Sequence, residues 1–238
     1  MDTFEFDLAS LKQRVVEMGQ LAEGMAAGSA RALTSADPAP ARQVRASEPS
    51  LDRLQLDVDR EAIRLIIKYS PAAKDLRLLL MIARVNSELE RVGDHAIDIC
   101  EYLELVSLPR SGPMPELEAM SRAALAMLHD ALDAFRVEDL DIAEAVIRRD
   151  DEVDAINGSV TAKSVAGGVE VESGPRGIVL LLAARALERI ADHATNICED
   201  VFFVVTGQDI RHRIDSPRNA RIPALPWRIR RPAESKAP

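Results

Sequence analysis

One stretch occurs twice in this chain. Leu89-Glu90-Arg91-Val92-Gly93-Asp94-His95-Ala96-Ile97-Asp98-Ile99-Cys100-Glu101 returns as Leu187-Glu188-Arg189-Ile190-Ala191-Asp192-His193-Ala194-Thr195-Asn196-Ile197-Cys198-Glu199, with nine of the thirteen positions identical. A repeat this close means that one structural unit was duplicated, so the fold must accommodate two copies of one helix in equivalent surroundings. At about 100° per residue, Glu90, Asp94, Asp98 and Glu101 fall in a sector of roughly 80°, as do Glu188, Asp192, Asn196 and Glu199. The opposite side carries Leu89, Val92, Ala96, Ile99 and Cys100, matched by Leu187, Ile190, Ala194, Ile197 and Cys198. Each copy reads as an amphipathic helix with a carboxylate edge.

The repeat divides the 238 residues into two units of similar size. Aliphatic and helix-forming residues dominate and aromatics make up only 3%, which predicts an all-α fold. Phe4, Leu8, Leu11, Val15, Met18, Ala22 and Met25 form a heptad seam for a first helix ending near Leu33. A second helix is expected from Ser47, with Pro49 in its first turn, to Tyr69. The third, from Ala72 to about Ser107, holds the first motif. Pro109 to Pro115 is rich in breakers and closes a unit of residues 1–110. Residues 111–212 repeat the plan: a helix from Glu116 to Val137, another from Asp139 that weakens toward Gly167-Gly168, and a sixth from Pro175 to Thr206 capped by Gly207.

Charge is unevenly spread. The formal net charge is −9, yet the segment from Arg211 onward carries eight Lys or Arg against two acids. The acidic body is unsuited to nucleic acid, whereas the tail, residues 213–238, is basic and proline-rich. Two cysteines, both on apolar helix faces, point to small buried hydrophobes rather than a disulfide. No apolar run reaches the ~20 residues needed to span a bilayer, and the acidic N-terminus does not resemble a signal peptide, so the expectation is a soluble cytoplasmic protein.

The carboxylates are the chemistry of this sequence. Aligned through Leu51 and Val153, Asp150 and Asp154 of the fifth helix match Glu48 and Asp52 of the second, so each half carries acidic pairs on two neighbouring helices. Two carboxylates ~6 Å apart repel by roughly 0.7 kcal/mol in water and by about 3 kcal/mol at an effective dielectric of 20. A half-buried stripe therefore needs a counter-charge. Arg91 and Arg189 are the nearest in sequence, about 100° round their helices. A shared cation is the other solution, and the acids stayed through the duplication while neighbours drifted, as Ser87 did against Arg185 and Glu88 against Ala186. The predicted metal ligands are Glu90, Asp94 and Asp98 with Asp52 in the first half, and Glu188, Asp192 and Asn196 with Asp150 and Asp154 in the second. Oxygen donors suit a hard divalent or trivalent ion (iron, Mn, Mg) and are less typical of Zn. His95 and His193 lie about 140° from Glu90 and Glu188, which predicts a packing or partner role. No Glu-x-x-His pair, phosphate loop or nucleophile elbow occurs, so a catalytic role is not expected.

The doubled Glu-Arg-x-Gly/Ala-Asp-x-Ala-x-Asp/Asn-Ile, the Pro71-Ala72-Ala73-Lys74-Asp75-Leu76-Arg77 entry to the third helix, and Val205-Thr206-Gly207-Gln208-Asp209-Ile210-Arg211-His212 together resemble the PhoU family. The resemblance covers residues 1–212. It implies two three-helix bundles related by a pseudo-twofold, and metal sites whose Glu-x-x-x-Asp ligands fall on Glu90 with Asp94 and Glu188 with Asp192. It also implies restraint of the phosphate transporter through its ATPase subunit, and of the phosphate-sensing histidine kinase. Ala191 departs from the expected glycine, Asp98 adds a charge where the second copy has Asn196, and the tail lies outside the resemblance.

The reading is thus a metal-binding, non-enzymatic regulator of phosphate uptake and phosphate-regulon signalling. The alternatives are a metal-dependent enzyme using the same carboxylates and a metal-free helical adaptor. An apolar edge on two similar bundles favours a homodimer, and Trp227 among Arg228, Arg230 and Arg231 would suit an anionic membrane surface. Asp98 and the regular second helix make the Glu90 and Asp94 site the expected tighter one.

Overall fold

The computed structural model describes residues 3–35, 37–105, 115–165 and 175–211. Six helices make up these residues: α1 (Thr3–Thr34), α2 (Ala39–Tyr69), α3 (Ala73–Leu105), α4 (Pro115–Val137), α5 (Leu140–Val165) and α6 (Pro175–Thr206). No strand occurs among them. Helices α1, α2 and α3 pack into one bundle and α4, α5 and α6 into another; α3 against α6 and α1 against α4 join the two. The weak stretch around Gly167 and the basic tail both lie outside the described residues.

Local chemistry sets most of the ends. Asp139 accepts hydrogen bonds from the backbone N–H groups of Asp141 at 2.8 Å and Ile142 at 3.1 Å, capping α5 at its start. Gly207, at φ 73°, turns the chain out of α6 with its N–H on the Phe203 carbonyl at 2.9 Å. α2 differs from the sequence expectation: it begins at Ala39, eight residues before Ser47, and Pro49 stands inside it. Pro38 and Pro40 occupy its N-terminal end, where a missing N–H costs nothing, and Asp37 accepts from the Ala39 N–H at 2.8 Å. The Thr34 to Pro40 turn is therefore shorter than the density of breakers suggests.

The core is aliphatic and continuous through both bundles, from Leu11, Val15 and Met18 of α1 through Leu79, Ile82 and Leu89 of α3 to Ile190, Ile197 and Val201 of α6. The largest fully buried side chains include Phe135 and Phe202. Two close approaches depend on glycine. A Cβ on Gly19 would stand 2.5 Å from Leu132 Cδ2, so α1 and α4 meet where α1 has no side chain. A Cβ on Gly93 would stand 2.1 Å from Leu51 Cδ2, which lets α2 lie close along α3. In the second bundle the corresponding residues are Ala191 and Val153, both buried. One carbon has moved from α5 to α6, so α5 still packs along α6 despite the lost glycine.

Polar contacts fasten the end of the molecule where the α2–α3 and α4–α5 turns lie. Asp7 of α1 accepts from Tyr69 Oη at 2.9 Å and lies 3.2 Å from Lys68 Nζ. Glu138, in the α4–α5 turn, pairs with Lys12 of α1 at 2.9 Å and Lys74 of α3 at 3.2 Å. Among the described residues no helix is long and apolar enough to cross a membrane.

Candidate metal centre

The acids of α2 and α3 share one seam. Glu90 is pushed above the usual carboxylate range by partial burial and then by the charges of Asp94 and Asp52. Asp94 is raised in the same direction by burial and then by Asp98, with Asp52 adding to it and His95 and Arg91 opposing. Thus Asp52 of α2 acts on both Glu90 and Asp94 of α3, and Asp98 acts on Asp94. Asp52 and Asp94 are exposed.

The α5–α6 seam is the more enclosed of the two. Asp150 is pushed up to about 6, by burial first and then by Asp192 and Asp154. Asp192 is raised by burial, then by Glu188, with Asp154 adding to it. Thr195 Oγ1 donates to Asp150 at 3.4 Å. None of Asp150, Asp154, Glu188 and Asp192 is fully exposed.

The basic residues next to the motifs leave the seams under-neutralised. Arg91 lies 3.8 Å from Glu88 rather than beside Glu90. Glu188 takes its partner from Arg185 at 2.7 Å, while Arg189 lowers Asp192 only through its field. Both seams keep an excess of negative charge, which suits a hard cation.

The donor set fits such an ion in its chemistry but is not gathered around one. Among the described residues, no group of three His, Cys, Asp or Glu side chains stands ready to hold a metal. Enclosing an ion therefore requires rotation of these side chains, which half-exposed carboxylates can make. One neutral oxygen is already free: Asn86, almost fully buried one turn before Glu90, donates to the Gln55 carbonyl and to Asp59 Oδ1, both at 2.9 Å, and its Oδ1 has no hydrogen-bond partner. Its counterpart in the second bundle is Ala184.

The residue that sequence reasoning misread is Glu88. Its exchange for Ala186 between the copies looked like surface drift, yet its side chain crosses from α3 to α6. Glu88 Oε2 lies 2.6 Å from His193 Nδ1 and accepts from the Asn196 amide at 2.9 Å. Burial raises its carboxyl, but the hydrogen bonds from His193 and Asn196 outweigh it and hold the group below the usual range. His193 stacks on His95, with ring centroids 5.3 Å apart and planes 16° from parallel. His95 in turn places Nδ1 3.1 Å from Asp98 Oδ2. The two histidines therefore pack at the contact between repeats, as their position on the helix predicts. Asn196 and Asp98, both candidate ligands, are engaged with Glu88 and His95 here. The missed signal was a double exchange: the half with Glu88 also has Asp98, and the half with Ala186 has Asn196.

Cys100 and Cys198 are both buried, and burial pushes the Cys198 thiol well above its ordinary range. Beyond the second seam, Asp200 pairs with Arg84 of α3 at 2.9 Å, and Arg211 lies 3.9 Å from the same carboxylate. Glu199 beside them is raised to about 7 by burial and then by Asp200.

The sequence and fold match known proteins over most of the chain. The PhoU domain model fits twice, over residues 15–103 and 117–201. The phosphate-specific transport system accessory protein PhoU of Escherichia coli K12 is 34% identical over 211 residues, covering 88% of each chain. A homologue from Burkholderia sp. is 36% identical over 217 residues, covering 88% of this chain and 91% of that one. The crystal structure of PhoU from Pseudomonas aeruginosa aligns with a TM-score of 0.79 at 31% identity, covering 87% of this chain and all of that one. The regulatory protein PhoU from Streptococcus pneumoniae aligns with a TM-score of 0.81 at 27% identity, covering 87% of this chain and 99% of that one. Two domain matches, relatives along most of the chain and the same six-helix architecture establish that this chain belongs to the PhoU family.

Proposed function

We propose that this chain is a metal-binding regulator of phosphate uptake and phosphate-regulon signalling, acting without catalysis in the cytoplasm as a homodimer. Its relatives carry the name of accessory proteins of phosphate-specific transport. The observation that carries the metal reading is the pair of under-neutralised carboxylate seams, with Asp150 displaced upward to about 6. Bringing carboxylates together raises their free energy unless a positive charge joins them. A bound hard cation would supply that charge, with Asp52, Glu90, Asp94 and Asp98 as candidate ligands on one bundle and Asp150, Asp154, Glu188, Asp192 and Asn196 on the other. Asp52 and Asp150 with Asp154 stand on one helix of each pair and the motif acids on the other, so the same charge fastens α2 to α3 and α5 to α6. In this proposal the second seam is the tighter, the reverse of the expectation drawn from the sequence, since its carboxylates are more enclosed while Asp98 of the first lies on His95.

In this proposal the chain restrains the transporter ATPase subunit and the phosphate-sensing kinase by direct contact. Copurification of the full chain with each candidate partner tests it. Retention of one or both by wild type, weakened in Glu188→Ala with Asp192→Ala, is the expected result. Equal retention by a metal-free protein and by the variants would favour the helical adaptor, and no retention would contradict contact regulation.

A further inference from the structure

We infer that two copies of this chain pair through the outer face of α2, in an antiparallel two-fold arrangement. This rests on the homodimer reading above and assigns it a surface. α2 turns Val58 and Leu65 inward, both fully buried, and packs against α1 and α3. On its opposite side Leu56, Ile63 and Ile67 stand 51%, 58% and 75% exposed. Arg60 lies between them, its side chain 74% exposed. The spacing 56, 60, 63, 67 alternates four and three, the seam of a coiled coil, so these side chains form one stripe along the helix. Three large aliphatics in one stripe on a water-facing helix differ from singly scattered apolar residues and mark a contact surface.

What covers the stripe follows from its symmetry. When two antiparallel α2 helices meet so that Leu56 faces Ile67 of the second copy, Arg60 faces Ile63 of the second copy, and the two-fold repeats both layers. The same register places Asp57 about 3 Å along the axis from Arg64 of the second copy, and the reverse pair follows from the two-fold. Both residues flank the stripe and both are partly exposed, with Asp57 3.5 Å from Arg60 and Arg64 on Glu61 and Asp7 within the chain. The charges flanking the face are thus complementary under this two-fold, as an isologous interface requires. Under the alignment of Leu51 with Val153, the second bundle has Gly158 in place of Leu56 and Ala162 in place of Arg60, so the first half of the stripe is not repeated there. An isologous contact of this kind closes the assembly at two copies.

The test is sedimentation equilibrium of the full chain at micromolar concentrations, with folding checked by thermal melts. Wild type is expected to be a dimer, and Ile63→Lys or Ile67→Lys to raise the dissociation constant at least about tenfold with little change in melting, since both side chains are exposed. Asp57→Arg and Arg64→Glu should each weaken the dimer, and the double variant should restore it. A dimer indifferent to the Lys substitutions would overturn the α2 surface and leave the homodimer standing. A monomeric wild type would overturn both, including the case in which the same Lys variants lose a different protein partner.

Discussion

Glu88 of α3 and His193 of α6 stand 2.6 Å apart across the contact between the two repeats. The bond is unsymmetrical in a molecule built on a repeat. Ala186 occupies the place of Glu88 in the second half, so His95 of the first half lacks an acid across the contact and is held instead by Asp98 of its own helix. Two acids thus orient two stacked rings, one across the interface and one along α3.

Removal of Glu88 should therefore loosen the pair of bundles more than either bundle. Glu88→Ala leaves His193 Nδ1 and the Asn196 amide without their partner at a buried contact, at a cost of about 1–3 kcal/mol. Glu88→Gln, which keeps an oxygen acceptor, should cost less. Urea denaturation of the three proteins gives the ranking, and equal stability of wild type and Glu88→Ala would show that the bond contributes nothing.

A single carbon distinguishes the two motif glycine positions. Gly93→Ala places a Cβ 2.1 Å from Leu51 Cδ2, and the overpacking should cost about 1–3 kcal/mol. Combining it with Leu51→Val reproduces the Ala191 and Val153 pairing of the second bundle and should recover most of the loss. A double-mutant cycle measures the coupling; additive losses would mean that α2 and α3 relax apart without reference to Leu51.

The carboxyl of Glu199 should make stability fall as pH rises. Its pKa is raised to about 7 in the folded chain, above the ordinary glutamate value near 4.3. Between those values the folded state holds more protons than the unfolded state, so this group's contribution is most favourable at the acidic end and is lost as pH rises through about 7. Glu199→Gln should raise the melting temperature at pH 8, with the gain shrinking toward pH 5. A gain independent of pH would point to packing rather than ionisation.

The fold was legible because the repeat and the helical periods agree: the motif helices, the Gly207 cap and the inward cysteines lie where the spacing of apolar residues puts them. The start of α2 was not, because prolines at residues 38 and 40 break a preceding helix and open a new one with equal ease. The carboxylate seams could be read from 3.6-residue geometry on α3 and α6 together with the pairing of neighbouring helices. The role of Glu88 could not, because its partners stand 105 and 108 residues away, and a difference between copies carries no sign of compensation until both sides are seen in space. Asn86 was hidden for the same reason, its donors being spent on α2 while its oxygen stays free.

Titration of metal-free protein with Mn²⁺ and Fe²⁺, followed by calorimetry and elemental analysis, tests the central claim most directly. Wild type should bind stoichiometric ion in two classes. Asp150→Asn with Asp192→Asn should remove the tighter class, and Glu90→Gln with Asp94→Asn the weaker, each with the helical melt intact. No stoichiometric ion in wild type, or binding that survives all four substitutions, would contradict the assignment of the carboxylate seams as metal centres.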